Sequence, residues 1–190
     1  MPPPLPRPGL KAIPDAGWET HELTTEAKMP ELVTWLRNNR DPGLWHAVAE
    51  GLNYDLDSSF EVLKWMLWQK DCPNAVAVAI FAQIGWPEVH GMADPPDWNN
   101  HVLELLEIIS ARDAFARFPV DTLSDPRGFD RNALTQACAR AAYDAHGAGI
   151  KPRIAVPLRT LRAQPVGPLP QTDYVIDEDG VLQWVPAQAS

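Results

Sequence analysis

Along the middle of the chain, apolar positions recur with the period of a helix, and prolines mark where each apolar stretch begins. Leu32, Val33, Trp35 and Leu36 form a stripe that predicts a helix from Pro30 to about Asn38. Asp41-Pro42 reads as an N-cap followed by a first-turn proline. The helix it opens places Leu44, Trp45, Val48, Ala49 and Leu52 on one side, with His46 and Glu50 on the other, facing water. Ser58-Ser59-Phe60-Glu61 has the spacing of a capping box, in which a hydroxyl and a carboxylate satisfy each other's free backbone N–H groups. The helix that follows carries Phe60, Leu63, Trp65, Met66, Leu67 and Trp68, too many apolar residues for one narrow face.

Asp71-Cys72-Pro73-Asn74 ends that helix and starts another. From Ala75 to Ile84 the chain is almost continuously apolar, which predicts a central core helix. A buried strand is the competing assignment, set aside because of the run's length and its proline start. Gly85 to Pro96 reads as a loop, and Asp97 as the cap of a long helix reaching about Phe115. Pro119 to Gly128 is a further loop before a helix from Asp130 to His146, ended by Gly147. Beyond it, Tyr174-Val175-Ile176 and Val181-Leu182-Gln183-Trp184 flank Asp177-Glu178-Asp179-Gly180, a hairpin signal. The expected fold is therefore mainly α: a compact bundle of five or six helices with a short C-terminal β-hairpin. Residues 1–18 form a proline-rich irregular tail, 19–147 the helical domain, and 148–190 an irregular segment whose hairpin packs on the helices.

With 190 residues, 45% of them hydrophobic and 22% charged, the chain has material for one domain with a real core. Its 20 prolines gather at the two ends, and most of its 8 tryptophans lie in the helical middle. No run of about 18 apolar residues exists, so no membrane-spanning helix is expected. The N-terminus shows no basic segment followed by an apolar stretch, which predicts no secretory signal. Two cysteines, Cys72 and Cys138, make no disulfide framework and fit a cytoplasmic location.

Charge changes the picture more. The net charge is −9, and Glu19 to Glu61 holds nine acids against three bases, a local balance of −6. Such a field repels phosphate backbones, so nucleic acid is not an expected partner; it attracts basic protein surfaces. A purely solubilising coat is the plainer explanation of the same acids.

Local motifs for catalysis are missing. There is no Cys-x-x-Cys, no His-Glu-x-x-His, no Gly-x-Ser-x-Gly and no phosphate-binding glycine loop. His101, Glu104 and Glu107 have a metal-like helical spacing, but the wheel sets them opposite Val102, Leu105, Leu106 and Ile109, where a solvated face belongs. Asp55 and Asp57 suit the positive end of a helix dipole, and Cys138 lies among alanines as a packed thiol. No metal or cofactor is expected. Of the tryptophans, about half should be mainly buried, with Trp68 and Trp98 the ones showing an edge.

At residues 52–81 the pattern Leu-Asn-Tyr-Asp-Leu-Asp-Ser-Ser-Phe-Glu-Val-Leu-Lys-Trp-Met-Leu, followed by Asp-Cys-Pro-Asn-Ala-Val-Ala-Val-Ala-Ile-Phe, resembles the bacterial domain-of-unknown-function family 4274. Asn53, Tyr54, Asp57, Phe60, Trp65, Cys72, Ala77 and Phe81 carry the likeness. Leu56 stands where that family commonly has tryptophan, and Ser59 near where it has glycine. The resemblance implies a small helical domain and carries no established reaction.

The leading expectation is a non-enzymatic, acidic protein-binding module of immunity or inhibitor type, acting on a basic protein such as a secreted bacterial toxin. Glu22, Glu26, Glu31, Asp41, Glu50, Asp55, Trp68 and Trp98 are the expected partner-binding residues. An adaptor or chaperone-like module is the second class. An enzyme with a site built from Asp55, Asp57, His101 and Glu104 is the third.

Overall fold

The computed structural model describes residues 18–19, 29–38, 40–52, 54, 57–84, 87–95, 100–170, 174–176 and 181–184. These residues are mainly helical. Seven α-helices are described: α1 (Met29–Asn38), α2 (Pro42–Gly51), α3 (Asp57–Trp68), α4 (Asn74–Ile84), α5 (Asn100–Phe115), α6 (Arg131–Gly147) and α7 (Leu158–Arg162). A 3-10 helix, Pro87–Gly91, lies inside the stretch expected to be a plain loop.

The punctuation does locally what the sequence suggests. Asp41 accepts a hydrogen bond from the Leu44 N–H at 2.8 Å, with Pro42 opening α2, and Asp130 does the same for Ala133 at 2.8 Å in α6. Three details differ. Helix α3 starts at Asp57, so Ser58 falls inside its first turn rather than at the N-cap. Gly147 is the last residue of α6, and the left-handed conformation falls two residues later, at Gly149. The expected cap Asp97 lies outside the described residues.

Helix α7 corrects the count of five or six helices. It forms in the proline-rich segment because Pro157 precedes it and Leu158 to Arg162 hold no further proline. Its Leu161 and the nearby Ile154 are buried in the core.

Helix α4 is the centre. Ala75, Val76, Ala77, Val78, Ile80, Phe81 and Ile84 are all buried, while Ala82 and Gln83 are exposed on the remaining side. It packs against α2, α5 and α7. Helices α3 and α5 pack side by side and run in the same direction: Phe60 stacks on His101 with ring centroids 5.3 Å apart, Lys64 pairs with Glu104 at 3.0 Å, and Arg112 donates to the carbonyls of Leu67 and Gln69 at 2.5 and 2.7 Å.

Residues 148–170 run back over the helices and are tied down by hydrogen bonds. Arg153 N–H donates to the Met92 carbonyl at 3.0 Å, Val166 N–H to Val120 at 2.8 Å, and Ser124 N–H to Pro168 at 2.8 Å. Between the last two contacts sits Gly167, where an added Cβ would lie 2.3 Å from the Leu123 nitrogen. Only glycine fits so close an approach of two backbones.

Three short strands are described by their backbones: β1 (Trp18–Glu19), β2 (Tyr174–Ile176) and β3 (Val181–Trp184), with β3 antiparallel to both others. The described residues do not support a closed C-terminal hairpin, since the turn expected at 177–180 lies outside them.

Candidate functional site

Helices α2 and α4 and the loop before α6 enclose a pocket of about 120 Å³. Its floor is the small-residue side of α4, with Ala75, Val78, Ala79 and Ala82. The loop adds Asp125, Pro126 and Phe129; α2 adds His46 and Glu50. Small side chains on α4 let α2 approach closely while leaving a hollow between them.

His46 is the unexpected member. The sequence reading faces it toward water, yet it is only 2% exposed. Helix α4 packs against the short helix α2 and covers a second face of it, so His46 is buried along with Leu44, Trp45 and Val48. His46 Nδ1 lies 3.4 Å from the Glu50 carboxylate, one helical turn on, while Glu50 itself is half exposed. Buried Nε2 has no hydrogen-bond partner among the described residues.

Asp125 is held differently. Arg131 grips it with two nitrogens, Nε at 2.7 Å from one oxygen and a terminal nitrogen on the other, and also donates to Asn74 Oδ1 and the Thr160 carbonyl, both at 2.8 Å. This bidentate pair largely neutralises Asp125 and joins the starts of α4 and α6 to α7. Glu50 is then the negative charge at the pocket wall with no Lys or Arg partner among the described residues.

The expected partner-binding residues divide. Asp41 and Glu50 stand at opposite ends of α2, about 13 Å apart along its axis at the usual helical rise, so they do not form one patch. Trp68 ends α3 and is 64% exposed, as expected. It shares its end of the molecule with Asp41, because the neighbouring Arg40 reaches across to Asp71 at 2.5 Å and to Gln69 at 3.2 Å. Phe115, 92% exposed, is at the same end, placed there by the contact of Arg112 with Leu67 and Gln69. Glu31 lies on α1 with its side chain outside the described residues, and Glu22, Glu26, Asp55 and Trp98 lie outside them altogether.

Of the enzyme alternative, His101 and Glu104 are described with partners, while Asp55 and the Asp57 side chain lie outside the described residues. Glu104 meets Lys64, which also meets Glu61; Glu107 meets Arg153 at 2.9 Å; His101 stacks on Phe60. No group of three or more His, Cys, Asp or Glu is placed to hold a metal among the described residues. Both cysteines are buried and free, with burial pushing the Cys72 thiol up to about 12 and the Cys138 thiol up to about 11. Neither is a nucleophile at neutral pH.

Residues 40–101 match the family model described as a domain of unknown function, DUF4274. The match extends the resemblance seen at 52–81 and covers α2, α3, α4 and the start of α5. His46, Glu50 and the α4 floor of the pocket fall inside the matched region, while Asp125 and Phe129 fall outside it. Comparison with curated proteins and with solved structures gives no match to this chain. No described helix is long and apolar enough to cross a membrane.

Two signals in the sequence point toward the pocket: the i, i+4 spacing of His46 and Glu50, and the alanines repeating on α4. Nothing in the sequence ties Asp125, Pro126 and Phe129 to them.

Proposed function

We propose that the chain is an acidic protein-binding module of immunity or inhibitor type, whose partner is a basic protein such as a secreted bacterial toxin. The observation that carries this reading is the aromatic end of the molecule, where Trp68 and Phe115 are 64% and 92% exposed at the ends of two packed helices. Exposed aromatics on rigid elements are what a protein interface uses as anchors, because little side-chain freedom is lost when they are covered. The net charge of −9 and the −6 between Glu19 and Glu61 supply the sign of the partner.

The test is capture from a lysate of the source organism by wild type and by a Trp68→Ala, Phe115→Ala double variant, with the recovered protein identified. The expected outcome is a basic protein, recovered less as salt rises from low to physiological levels, where the screening length is about 8 Å, and lost from the double variant. Recovery of an acidic protein, or equal recovery by both forms at every salt concentration, contradicts the reading. An adaptor or chaperone-like role rests on the same aromatic end. It is separated from inhibition by whether the partner keeps its activity when bound.

A further inference from the structure

The pocket between α2 and α4 has a selective chemistry. A volume of about 120 Å³ is well below the roughly 300 Å³ at which pockets begin to hold a cofactor or a metabolite of ordinary size. It has room for a single side-chain head and a few methylenes. The floor of Ala75, Val78, Ala79 and Ala82 is apolar and suits an aliphatic stem. Glu50, on α2, has no Lys or Arg partner among the described residues, and Phe129 from the loop and Gln83 from α4 also line the pocket. His46 is 2% exposed, with its Nε2 lacking a hydrogen-bond partner among the described residues. Arg131, which grips the pocket residue Asp125, is occupied by that pair. An apolar floor, a carboxylate with no Lys or Arg partner among the described residues and an aromatic residue in the lining together match a cationic hydrogen-bond donor on a short chain.

We propose that this pocket is the seat for one arginine or lysine side chain projected by the basic partner, an inference that rests on the protein-binding reading above. The stem lies on the α4 alanines and the cationic head pairs with Glu50 near His46. Burial of a cation against a carboxylate in a partly closed site gives the specificity that a diffuse acidic surface cannot.

The experiment titrates 15N-labelled protein with n-butylguanidinium, and with n-butylurea as a neutral probe of nearly the same shape, and follows amide shifts. Butylguanidinium is expected to shift Glu50, Ala79, Ala82 and Phe129 in a saturable way, while butylurea leaves them unmoved. Glu50→Gln should weaken the guanidinium by about fivefold or more, as loss of a single charge at contact distance requires. Ala79→Leu, which fills the floor, should abolish binding; the exposed Glu50 position keeps the test valid if the filled variant does not fold. Equal shifts with butylurea, shifts confined to other surfaces, or unchanged affinity in Glu50→Gln overturn the proposal.

Capture of the partner by Glu50→Gln and Ala79→Leu separates the two inferences. Undiminished capture by both, with the probe still binding wild type in the pocket, removes the side-chain seat and leaves the protein-binding reading standing. If wild type captures no basic protein at all, both inferences fall, whatever the probe does.

Discussion

His46 and His90 sit in two regions that are alike in burial and unlike in everything around the ring. Both are almost fully covered, at 2% and 0% exposure, and both leave Nε2 without a partner among the described residues. His46 has a half-exposed carboxylate beside Nδ1 and a hollow next to it. His90 donates from Nδ1 to the Ile154 carbonyl at 3.2 Å, stacks on Phe81 with centroids 5.6 Å apart, and belongs to the 3-10 helix that packs along α6. A buried histidine is therefore no marker of a site by itself. What distinguishes the two is whether the second polar group is a charge near solvent or a backbone carbonyl within the fold.

The sharpest way to break the comparison is to empty the His90 side. Phe81→Ala should cost about 3–5 kcal/mol by leaving a cavity against His90 and the α4 core, read as a fall in denaturant midpoint. A loss under about 1 kcal/mol would place the core elsewhere. On the pocket side, Arg131→Met should cost about 2–3 kcal/mol, because it leaves the mostly covered Asp125 carboxylate without its cation. Chemical unfolding of that variant at neutral pH gives the figure, and a change within about 0.5 kcal/mol would show that Asp125 is satisfied by water.

The next effect tests the His90 side by pH. Burial lowers the pKa of His90 from its ordinary 6.5, only partly offset by its hydrogen bond to Ile154. Below pH 6.5 the unfolded chain then takes up a proton that the folded one refuses, so stability is full above that value and falls as pH drops through it, by up to about 1.4 kcal/mol per pH unit. His90→Gln should flatten this slope below about pH 6.5 relative to wild type. Parallel curves for the two proteins would mean that other groups set the acid limb.

The smallest expected effect is at the aromatic end. Trp68→Ala should change stability by less than about 0.5 kcal/mol, since most of the side chain is already in water. A much larger cost would mean that Trp68 supports the fold rather than a partner.

Much of the helical frame was legible because proline and aspartate act locally. Asp41-Pro42 caps its helix where the sequence says it should, and the apolar run after Pro73 forms the helix that its length and proline start favour over a buried strand. The misreadings share one cause, which is contact between distant segments. A helical wheel assumes one buried face per helix, so it sends His46 to water; the second cover over α2 comes from α4, about thirty residues later. Helix α7 was hidden by surrounding prolines, and its Thr160 carbonyl is anchored by Arg131 and Asn74 from elsewhere in the chain. The pocket was illegible for the same reason, as its three walls are joined only in space.

The shared direction of α3 and α5 bears on how the molecule comes together. Two helices joined by a short turn run in opposite senses, so a side-by-side pair pointing the same way needs a return path, here the whole of α4 and the 3-10 helix between Trp68 and Asn100. No local hairpin can nucleate that pair. The contacts of Phe60 with His101 and of Leu67 with Arg112 close loops of about forty residues, and their entropy must be met before the contacts stabilise anything. Assembly should therefore be slower than in an up-and-down bundle of the same length, with α4 packed before α5 docks.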